Sequence, residues 1–161
     1  MSMIGPVVDE PVEETPDEPL GTELTVSLVP PFEVERIWDQ VSRMLKLATD
    51  MSQGRYRLQD LKDKLMKGEF QLWIIFDPTF KIVAAITSTF TEYPQKKAAH
   101  GQFLGGERLI EWKQKFCDVF DSWARDNGCG LIEFSGRPGW GRELSEQGFR
   151  EVFRTYQKDL R

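Results

Sequence analysis

Residues 98–126 read AAHGQFLGGERLIEWKQKFCDVFDSWARD, and the spacing of their apolar positions changes at the pair Gly105-Gly106. Before the pair, Ala98 to Leu104 is a short run that suits a strand, with Gly101 as its weak point. After it, Leu109, Trp112, Phe116, Phe120 and Trp123 recur at intervals of three and four. That is the buried stripe of a long helix running from about Glu107 to Asp126, with Asn127-Gly128 as its stop.

Working back from this unit, Gln71-Leu72-Trp73-Ile74-Ile75-Phe76 is a compact run of strand formers that ends at Asp77-Pro78. Ile82 to Thr91 is a second such run, so the short gap between them predicts an antiparallel hairpin. Farther upstream, Leu24 to Val29 alternates apolar and hydroxyl residues before Pro30-Pro31 and reads as a strand. Val34, Ile37, Trp38, Val41, Leu45 and Ala48 then fall on one helical face, and Leu58, Leu61 and Leu65 on another that stops at Gly68. Downstream, Leu131 to Ser135 is a short apolar strand, Gly141 to Gln147 a small helix, and Arg150 to Lys158 alternates as a final strand. The order β-α-α-β-β-β-α-β-α-β predicts a mixed α/β domain on one central sheet.

Of 161 residues, 40% are hydrophobic and 12% aromatic, enough for one core but not for two. No run approaches the roughly 18 apolar residues of a membrane span, and no signal peptide opens the chain, so a cytoplasmic protein with no membrane association is expected. Cys117 and Cys129 have neither metal-ligand spacing nor a disulfide framework, which sets zinc and iron–sulfur chemistry aside and predicts no metal.

The net charge of −5 is unevenly spread. Residues 1–23 carry seven of the 26 acids, no Lys or Arg, and four prolines, which keep a helix from propagating. The remaining 19 acids face 21 basic residues, so the body is near +2. The chain therefore divides into an acidic, proline-rich arm over 1–23 and a folded domain over 24–161. The arm is either a solubilising leader or a docking segment in which Ile4, Val7 and Val8 supply apolar contacts. Nucleic-acid binding is not expected, because Lys96-Lys97 is too short for a basic patch.

Three features make residues 24–161 resemble the GNAT superfamily, the Gcn5-related N-acetyltransferases. They are the helical stretch Leu58 to Leu65 with Gly68 ahead of the first core strand, the long helix after Gly105-Gly106, and Glu146-Gln147-Gly148-Phe149 before the last strand, similar to the family's "GF" signature. Tyr93-Pro94, Phe103-Leu104-Gly105-Gly106, Gly136-Arg137-Pro138-Gly139-Trp140 and Lys158-Asp159-Leu160 look more narrowly like small GNAT-like proteins of tailed phages and prophages. That likeness implies a protein partner, a phage structural or host protein, reached in part through residues 1–23, and a place in the host cytoplasm or the virion.

The resemblance also says where acetyltransferase machinery would lie. Working members cradle the acetyl-CoA pyrophosphate on a Gln/Arg-x-x-Gly-x-Gly/Ala loop at the start of the long helix, where unpaired N–H groups meet the anion. The corresponding residues are Leu104, Gly105, Gly106, Glu107 and Arg108, in which the glycines are adjacent and the leading Arg or Gln is missing. The plainer reading is a tight strand-to-helix turn. Many members place an acidic Tyr five residues before the Phe of the "GF" pair, and that position is Leu144, which has no proton to give. Glu92 and His100 are the candidate bases, and Tyr156 and Tyr93 the residues that would have to substitute for the acid. Cys117 lies mid-helix among Phe residues, not at a helix N-terminus that would activate it.

Arg137, Trp140 and Arg142 form the most distinctive turn, read either as a grip on an anion, base or partner loop or as a rigid corner. The favoured expectation is a GNAT-fold interaction module with degenerate acetyl-CoA motifs and no firm cofactor. The alternative is an acetyl-CoA-dependent N-acetyltransferase with a remodelled loop.

Overall fold

The run Gln71–Phe76 is apolar at every position after the first because it is a central strand covered on both faces. Leu72 and Ile74 face one helical layer, and Trp73 and Ile75 face the other. The computed structural model describes residues 23–160, so the acidic arm lies outside the described residues except for Glu23, whose carboxylate pairs with Lys115 at 3.0 Å. The strands are β1 (Thr25–Val29), β2 (Gln71–Phe76), β3 (Ile82–Glu92), β4 (Lys97–Gly106) and β5 (Leu131–Phe134), and they lie side by side in chain order. β1 to β4 are antiparallel neighbours, and β5 joins β4 in parallel.

Helices α1 (Val34–Asp50) and α2 (Leu58–Met66) cover one face of the sheet, where Val41, Leu45, Leu61 and Leu65 meet Leu72, Ile74 and Phe103. Helix α3 (Leu109–Asp126) covers the other with Trp112, Phe116, Phe120 and Ala124. The parallel β4–α3–β5 connection is what places a helix on that face. Short α4 (Gly141–Glu146) is tied to α3 by Lys113, which bonds Glu143 at 2.7 Å and Glu146 at 2.6 Å. Among the described residues no helix is long and apolar enough to cross a membrane.

Two features of β4 shape the site. Between the pairs Ile86↔Leu104 and Ser88↔Gly101, β4 carries one residue more than β3, a bulge held by the Phe103 N–H donating to Thr87 Oγ1 at 3.2 Å. β5 pairs only with Ala98 to Gly101, so the two strands part at Gly101/Phe134 while β4 continues to Gly106. Gly101 is where the Phe134 ring sits, since a Cβ there would lie 1.8 Å from the ring.

One expected element is absent. Residues 150–158 form no strand and pair with no edge; after Phe149, whose ring packs on Phe134 at 5.3 Å, the chain runs exposed to Leu160. The alternation there is real, but each of its two faces mixes apolar with charged residues. Neither face is apolar enough to fix the segment on this core, and register is weakly specified in such strands.

Candidate functional site

The parallel register between β4 and β5 sets His100 directly beside Glu133, both on the α1 side of the sheet. Ser135, two residues past Glu133, follows on the same side where the strands separate. His100 Nε2 and Ser135 Oγ lie 2.9 Å apart, and His100 Nδ1 is 3.5 Å from a Glu133 carboxylate oxygen. The Tyr93 hydroxyl donates to the same carboxylate, at 2.8 and 3.0 Å from its two oxygens. The tautomer carrying its proton on Nδ1 suits this arrangement: N–H toward Glu133, and a bare Nε2 toward Ser135.

Burial holds the His100 pKa below its ordinary 6.5, and the Glu133 charge opposes that only in part. Hydrogen bonding to Glu133, with burial, raises the Tyr93 phenol. The imidazole is therefore neutral at pH 7 and can accept a proton from a group at the parting of the strands.

This environment has a measurable signature. The unfolded chain takes up a proton at His100 near pH 6.5, whereas the folded chain does so only lower, so stability rises with pH across that window and is lost as pH falls through it. In chemical denaturation at about pH 7.5 and about pH 5.5, wild type is expected to lose more stability on acidification than His100→Gln. Equal losses would show that His100 is not held neutral by its surroundings.

The other sequence-derived candidates lie apart from this cluster. Glu92 ends β3 exposed, opposite Lys97, and Tyr156 is 87% exposed in the 150–160 segment. Arg137 is exposed, Arg142 is exposed with its Nε 3.9 Å from Glu146, and Trp140 sits over Gly136 in a single 3-10 turn. Burial among α3 side chains, with Asp121 and Asp118 nearby, pushes the Cys117 thiol up to about 11, the opposite of an activated nucleophile.

In the cradle region only Glu107 and Arg108 separate β4 from α3. A Cβ on Gly105 would fall 1.8 Å from the Met44 carbonyl oxygen of α1. Gly106, at φ +128°, would bring one to 2.4 Å from Val83 O. The Glu107 N–H donates to that same Val83 oxygen at 2.9 Å, and the Glu111 N–H to Arg108 O at 3.0 Å. The Arg108 guanidinium is bonded to Glu111. Leu104 packs into the α3-side core. Both glycines thus serve close packing, and the amide that would lead a phosphate cradle is already bonded.

Comparison with solved structures bears on the arrangement as a whole. An aminoglycoside acetyltransferase from an uncultured soil metagenomic sample, in complex with sisomicin, superposes with a TM-score of 0.63 at 14% identity, over 86% of this chain and 97% of that one. A predicted acetyltransferase with acetyl-CoA from Clostridium acetobutylicum does so at 0.63 and 11% identity, over 85% and 96%. An acetyltransferase of Trypanosoma brucei gives 0.59 and 14%, over 86% and 100%. The fold is GNAT-like. At these identities the likeness concerns the GNAT architecture alone. No family model matches the chain, and no curated protein matches it in sequence.

His100 was legible as a candidate before the structure, but Glu133 and Ser135 were not. What joins them is the β4–β5 register, and a parallel pairing across an intervening helix leaves no local signal in the sequence.

Proposed function

We propose that this GNAT-like chain works as an interaction module, in a phage virion or against a host factor, and not as an acetyl-CoA-dependent enzyme. One observation carries the reading: the two-residue passage from β4 to α3, in which the Glu107 N–H is bonded to Val83 and both glycines are filled by neighbouring backbone. A pyrophosphate needs several free amides converging at a helix start. With the Glu107 amide committed and both glycines closed by backbone, the residues ahead of the helix start offer no cradle, and Glu107 adds a charge of the same sign. Leu144, where the resemblance places an acidic Tyr, points the same way. The acidic residues 1–23 and the exposed Arg137 and Arg142 are the contact surfaces this reading offers.

Calorimetric titration with acetyl-CoA is expected to give no binding tighter than about 10 μM, roughly −7 kcal/mol. Tighter binding would revive the enzyme. The setting is checked by quantitative mass spectrometry of purified particles and of host proteins retained by the tagged chain. Absence from both would overturn the module.

A second reading, acyl transfer through a remodelled cofactor site, is favoured by the His100–Glu133–Tyr93 cluster. A neutral imidazole backed by a carboxylate is what deprotonation of a substrate amine requires. This reading lacks a cradle for the acyl carrier, which is why it comes second.

A further inference from the structure

The parting of β4 and β5 leaves a serine on an open surface with a base behind it. Ser135 is the first residue past β5, it is exposed, and its Oγ lies 2.9 Å from His100 Nε2. The far nitrogen of the same ring, Nδ1, stands 3.5 Å from Glu133, a length usual for such a contact before substrate is bound. Tyr93 bonds both oxygens of that carboxylate and so fixes it behind the ring. Hydroxyl, imidazole and carboxylate thus follow one another in the order that turns a serine into a nucleophile. His100 is the only histidine in the chain, so no other serine can have this partner.

A tetrahedral intermediate also needs donors for its oxygen. Among the described residues, neither the Gly136 nor the Arg137 N–H donates to any acceptor. The amide that follows the nucleophile in the chain is one that serves this purpose in serine hydrolases of another fold.

We propose that Ser135, His100 and Glu133 form a nucleophilic triad that hydrolyses short-chain carboxylic esters. As Oγ bonds the ester carbon, its proton passes to His100 Nε2 and the carbonyl electron pair moves onto oxygen, to which the Gly136 and Arg137 amides are available. The bond to the leaving oxygen then breaks, and that oxygen takes the proton from Nε2 and departs as the alcohol. Water attacks the acylated Ser135, giving a proton to Nε2 as its oxygen bonds the acyl carbon. The bond from carbon to Oγ breaks, the proton returns to Oγ, and the carboxylic acid leaves. Glu133 touches no substrate; it is a positioning residue that holds the Nδ1–H and stabilises the imidazolium.

Exposure selects the substrate. An open serine gains little binding energy from an acyl group, and binding energy is what an unreactive carbonyl would require. An ester, with its better leaving group, is therefore favoured over an amide. The reaction uses no acyl carrier, so it is independent of whether acetyl-CoA binds.

The probe is p-nitrophenyl acetate, given to the full chain. Ser135→Ala and His100→Gln are each expected to lower kcat/KM by at least about a hundredfold. Ser135→Ala alters an exposed position, so its melting temperature is expected to match wild type. A fluorophosphonate, which phosphonylates an activated serine with loss of fluoride, is expected to label Ser135 in wild type and not in His100→Gln, as read by peptide mass spectrometry. Glu133→Gln is expected to cost about tenfold or more and to move the midpoint of the pH–rate profile down, because the Glu133 charge is what raises the His100 pKa against burial. Wild type that hydrolyses the ester no faster than Ser135→Ala overturns the proposal. So does a fluorophosphonate that leaves Ser135 unlabelled, or that labels it equally in His100→Gln. A slower Glu133→Gln with an unmoved profile overturns the part given to the carboxylate.

Discussion

Gly105→Ala is expected to lower the stability of the domain by about 3 kcal/mol or more, near a 6–12 °C fall in melting temperature for a chain of this size. The new methyl would sit 1.8 Å from the Met44 carbonyl oxygen. That oxygen belongs to the backbone of α1, so no rotamer change relieves the clash; helix and sheet must separate. α1 packs on β4 through Val41, Leu45 and Phe103, and a separation there loosens the whole α1-side core. Gly130→Ala is the control: nothing lies within 4 Å of its Cβ position, and a loss under about 1 kcal/mol is expected. Differential scanning calorimetry of the two variants decides the matter. If Gly105→Ala melted with wild type, the glycine would not be there for packing, and access for a ligand would again explain it.

The chain's architecture was largely readable because its strongest signals are local. Trp112, Phe116 and Phe120 mark the face of α3 that is in fact buried, and Val41 and Leu45 do the same for α1. The apolar run at β2 announces a strand covered on two sides. The segment 150–158 shows where local reading ends. Its alternation says that it is able to be a strand, but a strand exists only beside a partner edge, and whether that edge belongs to the same chain is not written in nine residues. The bulge in β4 is likewise invisible, because it arises from the mismatch of two strands at Thr87 and not from either strand alone.

The candidate site divides in the same way. Leu144 and the adjacent glycines could be judged from the sequence, since a missing hydroxyl and a missing spacing are properties of the sequence itself. What the glycines do instead could not, because Met44 on α1 lies 61 positions before Gly105 and Val83 on β3 lies 23 before Gly106. His100 gained its meaning only from Glu133 across the sheet. A lone histidine reads as a polar residue; with a carboxylate behind it, a hydroxyl in front and enough burial to stay neutral, it reads as a proton acceptor.

Trp73→Ala is expected to cost about 3–5 kcal/mol, a large part of the roughly 5–15 kcal/mol available to a domain. Trp73 is 1% exposed at the centre of β2, and its ring meets Phe116, Phe120 and Trp123 edge-on with centroids 6.0, 5.6 and 5.1 Å away. These three residues are the face by which α3 holds the sheet, so the cavity would open under the helix that leads out of β4. The indole Nε1 also donates to Ser88 Oγ at 3.0 Å, and Ser88 in turn donates to Gln71 Oε1 at 2.9 Å. Truncation therefore removes the donor to a buried hydroxyl that keeps its second partner, a smaller loss than that of the ring. Trp73→Phe separates the two contributions, since it keeps an edge-on ring and gives up the indole bond; about 1–2 kcal/mol is expected. Urea denaturation is the measurement, with the midpoint falling and the slope unchanged in both variants. A loss under about 1 kcal/mol for the alanine variant would mean that α3 is held by other contacts. The β4–α3 passage would then owe its closed geometry to the glycine contacts with Met44 and Val83 alone.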